Sequence, residues 1–191
     1  MATTQARTRT QAKAGRGAAK PVKTTVRPLQ RARQAAPGRT RSSPPSLSES
    51  VEGVRQVLSR YCFALDTLAL QEVGALFHRD ATFSVSFDRE QQHTGRETIK
   101  AWYARFFQQR PGQYSHMRHK LYEPRVTIHG DTATAVTYFD SDAVDQDGKI
   151  IVIAGRYDDT LVRESGQWFF KDRRITVLYH YSPGTSREGM R

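Results

Sequence analysis

The distribution of aromatic residues divides this chain of 191 residues into two unequal parts. All of its two Trp, eight Tyr and nine Phe lie at or after Tyr61, and the first 50 residues contain only a few isolated aliphatic side chains. A segment with so little apolar surface cannot offset the entropy that it loses on ordering. The sequence therefore predicts a disordered basic tail over residues 1–45, one folded domain over residues 46–183 and a flexible C-terminus over residues 184–191.

The formal net charge of +11 belongs almost entirely to the tail. Residues 1–50 carry 11 of the 30 Lys and Arg and a single acid, Glu49, whereas the remaining residues are nearly neutral. Three interpretations fit such a tail. They are salt-sensitive, non-specific attraction to nucleic acid or an anionic surface, an organelle transit peptide if the source is eukaryotic, and a solvated extension without a specific role.

Cysteine content and hydropathy indicate the compartment. The single cysteine, Cys62, excludes an intrachain disulfide framework and fits a reducing environment. The longest aliphatic run, Ile150 to Ala154, is far shorter than the roughly 20 residues that a membrane span needs. We therefore expect a cytoplasmic protein with no membrane span, or an organelle protein if the tail is a transit peptide.

The first part of the domain has helical periodicity interrupted by one strand. Ser46 and Glu49 have the spacing of a capping box and precede apolar residues at helical intervals. The predicted elements are a helix over Leu47 to Leu65, a short helix over Leu70 to Phe77, a strand over Ala81 to Phe87, and a helix that begins at a Thr94/Glu97 capping box and ends at Pro111-Gly112.

The second part of the domain consists of long β-type segments separated by turns at Gly130-Asp131, Asp147-Gly148 and Ser165-Gly166. Three helices followed by a strongly bent antiparallel sheet predict an α+β fold. Small residues on one face of a strand, Ala133, Ala135 and Thr137, indicate either an internal pocket or space for the aromatic side chains of the third helix. The predicted segments are Ser115 to Ile128, Thr132 to Ala143, Lys149 to Val162 and Gln167 to Tyr181.

The order of several short strings resembles the SnoaL-like branch of the nuclear transport factor 2 superfamily over residues 47–181. The resemblance implies a cone-shaped, curved antiparallel sheet and three N-terminal helices around a central cavity, and often a homodimer through the outer face of the sheet. Its members include scytalone dehydratase, bile acid dehydratase, steroid isomerases, polyketide cyclases and non-catalytic proteins. The strings are Arg60 to Asp66, Leu76-Phe77 with Asp80-Ala81, Gly95 to Ile99, His119, Gly130 to Ala133, Gly155 to Asp158, and Gly166 to Trp168 with Arg173.

The resemblance implies that Tyr61, Asp66 and His119 are catalytic. Tyr61 and Asp66 lie about 140 degrees apart on an ideal helix, so both can face one site only if Asp66 lies at the helix end. Strand alternation places His119 on the inner face and His116 on the outer face. In many relatives Asn-Pro follows this His by four residues. Here the pair is Glu123-Pro124, which leaves open whether Glu123 enters the site.

These residues suggest acid–base chemistry without a cofactor or a metal. His119 would remove a proton next to a carbonyl, Asp66 would orient the imidazole, and the Tyr61 hydroxyl would hydrogen-bond an oxygen of the substrate. Candidate substrate-binding residues are Trp102, Tyr138, Arg156 and Arg173, although either arginine could instead pair with a neighbouring aspartate.

The resulting functional hypothesis is a dehydratase (hydro-lyase) or isomerase that acts on a small hydrophobic cyclic carbonyl compound. The alternatives are a non-catalytic protein that binds a small-molecule ligand or a partner, and a scaffold similar to the β subunit of a ring-hydroxylating oxygenase. Inward convergence of Tyr61, Asp66 and His119 on one cavity would favour catalysis, whereas a filled cavity would favour binding or scaffolding.

Overall fold

The computed structural model describes residues 44–89, 91–108 and 113–183. Three predicted features lie outside these ranges. They are residues 1–43 of the tail, the C-terminus from residue 184 and the end of the third helix at Pro111-Gly112. In chain order, the elements are α1 (Leu47–Asp66), α2 (Leu70–Ala75), β1 (Phe77–Val85), β2 (Gln92–Thr94), α3 (Arg96–Gln108), β3 (Tyr114–Leu121), β4 (Arg125–His129), β5 (Thr132–Asp145), β6 (Ile150–Glu164) and β7 (Gln167–Tyr181).

The first helix begins at the predicted capping box. The Ser46 side chain accepts a hydrogen bond from the backbone N–H of Glu49, and the Glu49 carboxylate accepts one from the backbone N–H of Ser46. These bonds satisfy backbone donors that the first helical turn leaves without partners. The buried side of the helix carries Val54, Leu58 and Tyr61 at helical spacing, so α1 packs one apolar face into the domain.

Seven strands form one curved, unclosed sheet in the order β2-β1-β7-β6-β5-β3, and β4 also pairs with β5. The predicted α+β class is confirmed. The sheet is mixed rather than wholly antiparallel, because β1 runs parallel to β7. Local sequence patterns carry no information on that pairing, since it joins strands about 90 residues apart in the chain.

Three boundaries differ from the predictions. Helix α2 ends at Ala75 and β1 already begins at Phe77, so the charged residues at 78–80 belong to the strand. Thr94 ends β2 instead of capping α3, which starts at Arg96. The segment predicted as one strand over Ser115 to Ile128 is two strands, β3 and β4, because Pro124 lacks the N–H that a continuous ladder needs.

Aromatic side chains pack between the helices and the inner face of the sheet. Tyr103 and Trp102 of α3 contact Phe83 of β1 with ring centres 5.2 and 4.9 Å apart. Tyr61 of α1 meets Phe170 of β7 edge-on at 5.7 Å. The predicted aromatic face of the third helix therefore forms part of the core, beside the strands that carry the candidate site. None of the helices in the described ranges combines the length and apolar character that crossing a bilayer requires.

Candidate functional site

A cavity of about 240 Å³ lies between the inner face of the sheet and helices α1 and α3. Its walls are aromatic and aliphatic for the most part, and the polar groups are a few hydroxyls and two imidazoles. The lining residues are Tyr61, Leu65, Val85, Phe87, Trp102, Tyr103, Phe106, Met117, His119, Phe139, Ser141, Ile153, Tyr157, Ile175, Val177 and His180.

His119 and Asp66 form a hydrogen-bonded pair at the edge of this cavity. Nδ1 of His119 lies 2.6 Å from Oδ1 of Asp66, and the backbone N–H of His119 lies 3.1 Å from both carboxylate oxygens. A carboxylate only accepts hydrogen bonds, so Nδ1 carries a proton. In the neutral ring the lone pair is then on Nε2, where it is free to accept a proton. The side chains are only 10 % and 19 % exposed, respectively, so little water competes for the pair.

The end of α1 explains how one helix supplies both Tyr61 and Asp66. Asp66 is the last residue of α1, so its side chain reaches β3 behind the cavity while Tyr61, five residues earlier, points into it. Tyr61 and His119 both line the cavity, whereas Asp66 contacts His119 without being a lining residue. His119 therefore lies between the Asp66 carboxylate and the cavity.

The hydroxyl of Tyr61 is hydrogen-bonded to that of Tyr103. The hydroxyl oxygens of Tyr61 and Tyr103 lie 2.6 Å apart, and both side chains are fully buried from bulk solvent. Burial raises the pKa of Tyr61 to about 12 and that of Tyr103 well above its ordinary value, so both phenols are neutral donors. In a pair of hydroxyl groups that share one hydrogen bond, one O–H is not used by the pair.

Arg173 lies beneath these rings rather than at the cavity mouth. Its guanidinium carbon is 3.8 Å from the ring centre of Tyr61 and 4.0 Å from that of Tyr157. Nη2 donates to Oδ2 of Asp159 at 3.3 Å, and both side chains are 0 % exposed. Burial raises the pKa of Asp159, and the charge of Arg173 opposes that rise. Arg173 thus takes the aspartate-pairing alternative and does not border the cavity.

The other predicted ligand-binding residues separate into two groups. Trp102 lines the cavity, and its Nε1–H donates to Asp88 at 2.9 Å, which fixes the indole. Tyr138 and Arg156 are cross-strand neighbours on the outer face of the sheet and do not border the cavity. Arg156 instead donates to Asp158 at 3.0 Å. The resemblance gave no means to tell the inner face from the outer one at these positions.

The sequence left open whether Glu123 or His116 enters the site, and both are exposed outside it. Glu123 is 76 % exposed and pairs with Arg55 of α1, outside the site. His116 is exposed and hydrogen-bonds Ser115 at 3.0 Å. Cys62 is buried, and burial raises the pKa of its thiol to about 12, so it is a poor nucleophile. The small residues Ala133, Ala135 and Thr137 are buried but do not line the cavity.

Four polar lining residues were missed by the sequence analysis: Tyr103, Ser141, Tyr157 and His180. Ser141 and Tyr157 share the inward face of their strands with Phe139 and Ile153, so strand alternation contained the signal for both. Strand alternation could not have identified His180, because β7 contains an irregularity just before it.

The described residues form no candidate metal site. Between residues 44 and 183, the described residues contain no group of three His, Cys, Asp or Glu side chains placed to hold an ion. His119 of the cavity wall, paired with Asp66 behind it, has an arrangement typical of proton transfer.

Comparisons with known proteins agree with the fold. Residues 46–174 match the family model of the SnoaL-like domain. No curated protein matches the chain significantly. Solved structures with the same fold include several proteins from species of Novosphingobium, and their identities of 14–24 % establish similarity of fold alone.

Three of these structures illustrate the range of functions. A protein of N. aromaticivorans proposed to be an aromatic ring hydroxylase is 24 % identical over 73 % of this chain and 96 % of its own, with a TM-score of 0.62. A proposed scytalone dehydratase of the same species is 19 % identical over 71 % and 89 %, with a TM-score of 0.62. A hexachlorocyclohexane dehydrochlorinase, LinA-type3 of N. barchaimii, is 14 % identical over 72 % and 92 %, with a TM-score of 0.62.

Proposed function

The chain belongs to the SnoaL-like domain family, and from this premise we propose that it is a cofactor-independent lyase or isomerase that acts on a small hydrophobic cyclic carbonyl compound. The observation that carries the proposal is the 2.6 Å contact between His119 and Asp66 at the edge of a largely apolar cavity. Two structural neighbours bear the names of enzymes that eliminate water or hydrogen chloride from a ring, which is consistent with this reaction class.

His119 is the general base in this proposal. Nε2 takes a proton from the carbon next to the carbonyl, and Asp66 stabilises the imidazolium that forms. The electron pair of the broken C–H bond forms the new double bond as the neighbouring C–O bond breaks. The leaving oxygen takes the proton back from the imidazolium and departs as water, so that atoms and charge balance. In an isomerisation the same proton returns to a different carbon.

The phenol pair supplies the electrophilic side of the reaction. Negative charge develops on the carbonyl oxygen as the proton leaves, and a donor placed in a dry cavity stabilises that charge more strongly than water does. The Tyr61–Tyr103 pair retains one O–H for this purpose. A carbonyl compound bound there would have its neighbouring carbon close to His119, since His119 and the two tyrosines line the same cavity.

Proton exchange tests this function without knowledge of the natural substrate. The chain is incubated with the bicyclic ketone 1-tetralone in deuterated buffer, and loss of the proton signals next to the carbonyl is followed by NMR. We expect exchange faster than in buffer alone, and a decrease of about 100- to 10,000-fold in His119→Ala. His129→Ala is the matched control, because His129 is exposed and does not line the cavity.

The outcome distinguishes this function from the main alternative. Exchange no faster than in buffer, together with saturable binding of the ketone, would favour a non-catalytic ligand-binding protein. A parallel assay of scytalone for loss of water, followed by absorbance, tests whether the proton abstraction proceeds to elimination.

A homodimer through the outer face of the sheet is a second part of the proposal. Four tyrosines on that face, Tyr122, Tyr138, Tyr179 and Tyr181, are each at least half exposed, and the rings of Tyr179 and Tyr181 lie 6.2 Å apart. Exposed aromatic clusters are typical of protein interfaces. We expect analytical ultracentrifugation to give a dimer, and Tyr179→Glu to shift it to the monomer by placing charge in that patch.

A further inference from the structure

Three of the polar residues in the cavity wall lie in a single row across four strands. His119 of β3 pairs with Ser141 of β5, Ser141 pairs with Ile153 of β6, and Ile153 pairs with His180 of β7. All four line the cavity. Neighbouring strands are about 4.8 Å apart, so the row carries an imidazole at each end over a backbone width of about 14 Å.

A bulge in β7 is what turns His180 inward. On β6, Ile153, Gly155 and Tyr157 alternate regularly on the inner face. On β7 their partners are His180, Val177 and Ile175, so the interval from Val177 to His180 contains one extra residue, Leu178. Strict alternation from Val177 would place Tyr179 and Tyr181 inside. With the bulge, those tyrosines face outward and the histidine faces the cavity.

The partner strand is adapted to this bulge. A Cβ at Gly155 would lie 2.5 Å from the ring of Phe139 and 2.6 Å from the backbone oxygen of Thr176, closer than such atoms can approach. Gly155 therefore lets Phe139, a lining residue, and the bulged part of β7 approach one another. Bulges recur beside binding sites because they redirect a side chain without interrupting the sheet.

We propose that His180 is a second ligand-contacting residue, and that the substrate carries a polar oxygen substituent at the end opposite its reacting carbonyl. This inference rests on the proposed function, because it takes His119 as the residue that contacts the reacting end. His180 lies at the exposed rim, where it hydrogen-bonds a hydroxyl or carbonyl oxygen while the ring of the ligand lies against Ile153, Ile175 and Val177. The substrate class is then a cyclic carbonyl compound that carries a second oxygen substituent.

Two ketones that differ by one hydroxyl test the inference. Dissociation constants of 1-tetralone and 6-hydroxy-1-tetralone are measured by calorimetry for the full-length wild type and for His180→Leu. We expect the hydroxyl to strengthen binding to the wild type about 2- to 10-fold, the range of one net hydrogen bond. His180→Leu should lose that gain, so that the variant binds the two ketones with similar affinity. His129→Leu, at an exposed histidine outside the cavity, should keep it.

NMR of histidine-labelled protein separates failure of this inference from failure of the proposed function. We expect the ring signals of both His119 and His180 to shift with 6-hydroxy-1-tetralone and to saturate together. A shift of His119 alone, or a hydroxyl gain that survives His180→Leu, overturns the role of His180 and leaves the proposed function standing. No shift at His119 with either ketone overturns both.

Discussion

The carboxylate of Asp66 holds His119 at two points, the ring Nδ1 at 2.6 Å and the backbone N–H at 3.1 Å. Because the backbone contact fixes the position of the carboxylate, the contact to the ring sets the orientation of the imidazole as well as its tautomer. The helix end that carries Asp66 and the strand that carries His119 are thereby joined at the cavity wall.

Replacing Asp66 by Asn should impair proton transfer. An amide can donate to Nδ1 and so favour the tautomer with its proton on Nε2, which cannot act as the base. We expect ketone exchange to fall by about 100-fold or more, while thermal unfolding shows that the fold persists. Asp131→Asn, at an exposed aspartate paired with Arg163, is the matched control and should exchange at the wild-type rate.

The phenol pair predicts energetic coupling between Tyr61 and Tyr103. Removal of either hydroxyl leaves the other buried with one partner fewer, so Tyr61→Phe and Tyr103→Phe should each lower the free energy of unfolding by about 1 to 3 kcal/mol. The double variant should cost less than the sum of the two. Urea denaturation measures the cycle, with Tyr138→Phe on the outer face as control. Strict additivity would contradict the hydrogen bond.

The buried pair of Arg173 and Asp159 predicts that the loss of one charge destabilises the fold more than the loss of both. Asp159→Leu leaves the guanidinium charged and unpaired among aromatic rings, which should lower the free energy of unfolding by about 3 to 5 kcal/mol. Arg173→Met combined with Asp159→Leu removes both charges and should be more stable than Asp159→Leu alone. Denaturant midpoints of the three proteins measure this. A double variant less stable than Asp159→Leu would contradict this, because it would show that the aromatic rings stabilise the guanidinium even without its carboxylate.

Asp142 predicts a dependence of stability on acid. The hydrogen bond from Arg118, and then Lys120, lowers the pKa of Asp142 to about 2 from an ordinary value of 3.8. The resulting stabilisation is present above pH 3.8 and is lost as the pH falls through about 2. After allowance for solvent screening, Asp142→Asn should cost roughly 1 kcal/mol at pH 7.

Urea denaturation at pH 7 and at successively lower pH follows this loss. The difference between wild type and Asp142→Asn should shrink once the pH is below 3.8. Asp147 is 75 % exposed, and its carboxylate lies 3.7 Å from Nζ of Lys149, which is too far for a hydrogen bond. Asp147→Asn should therefore match the wild type throughout. An undiminished difference at pH 2 would refute the assignment.

Features set by local chemistry were predictable from the sequence. The capping box at Ser46 fixed the start of α1, and strand alternation placed His119 on the inner face, where it lies. The position of Asp66 followed from the expected end of that helix. Each of these depends on a few consecutive residues whose periodicity is visible in the chain.

Features set by distant contacts were not predictable. The parallel pairing of β1 with β7 joins residues such as Phe83 and Arg173, and no local pattern encodes it. Arg173 is fully buried although arginine is usually exposed, because Asp159 and Tyr157 of β6 and Tyr61 of α1 pack against it. His180 was overlooked because a bulge has no simple signature in one sequence.

Leu178 has a consequence for comparing this chain with its relatives. Since the bulge absorbs that residue, the strand would keep the same inward side chains if it were one residue shorter there. An alignment that permits no gap near position 178 would therefore match His180 to an outward residue of a relative without the insertion. Equivalence of wall positions among these proteins should be judged by pairing with β6, not by counting along the chain.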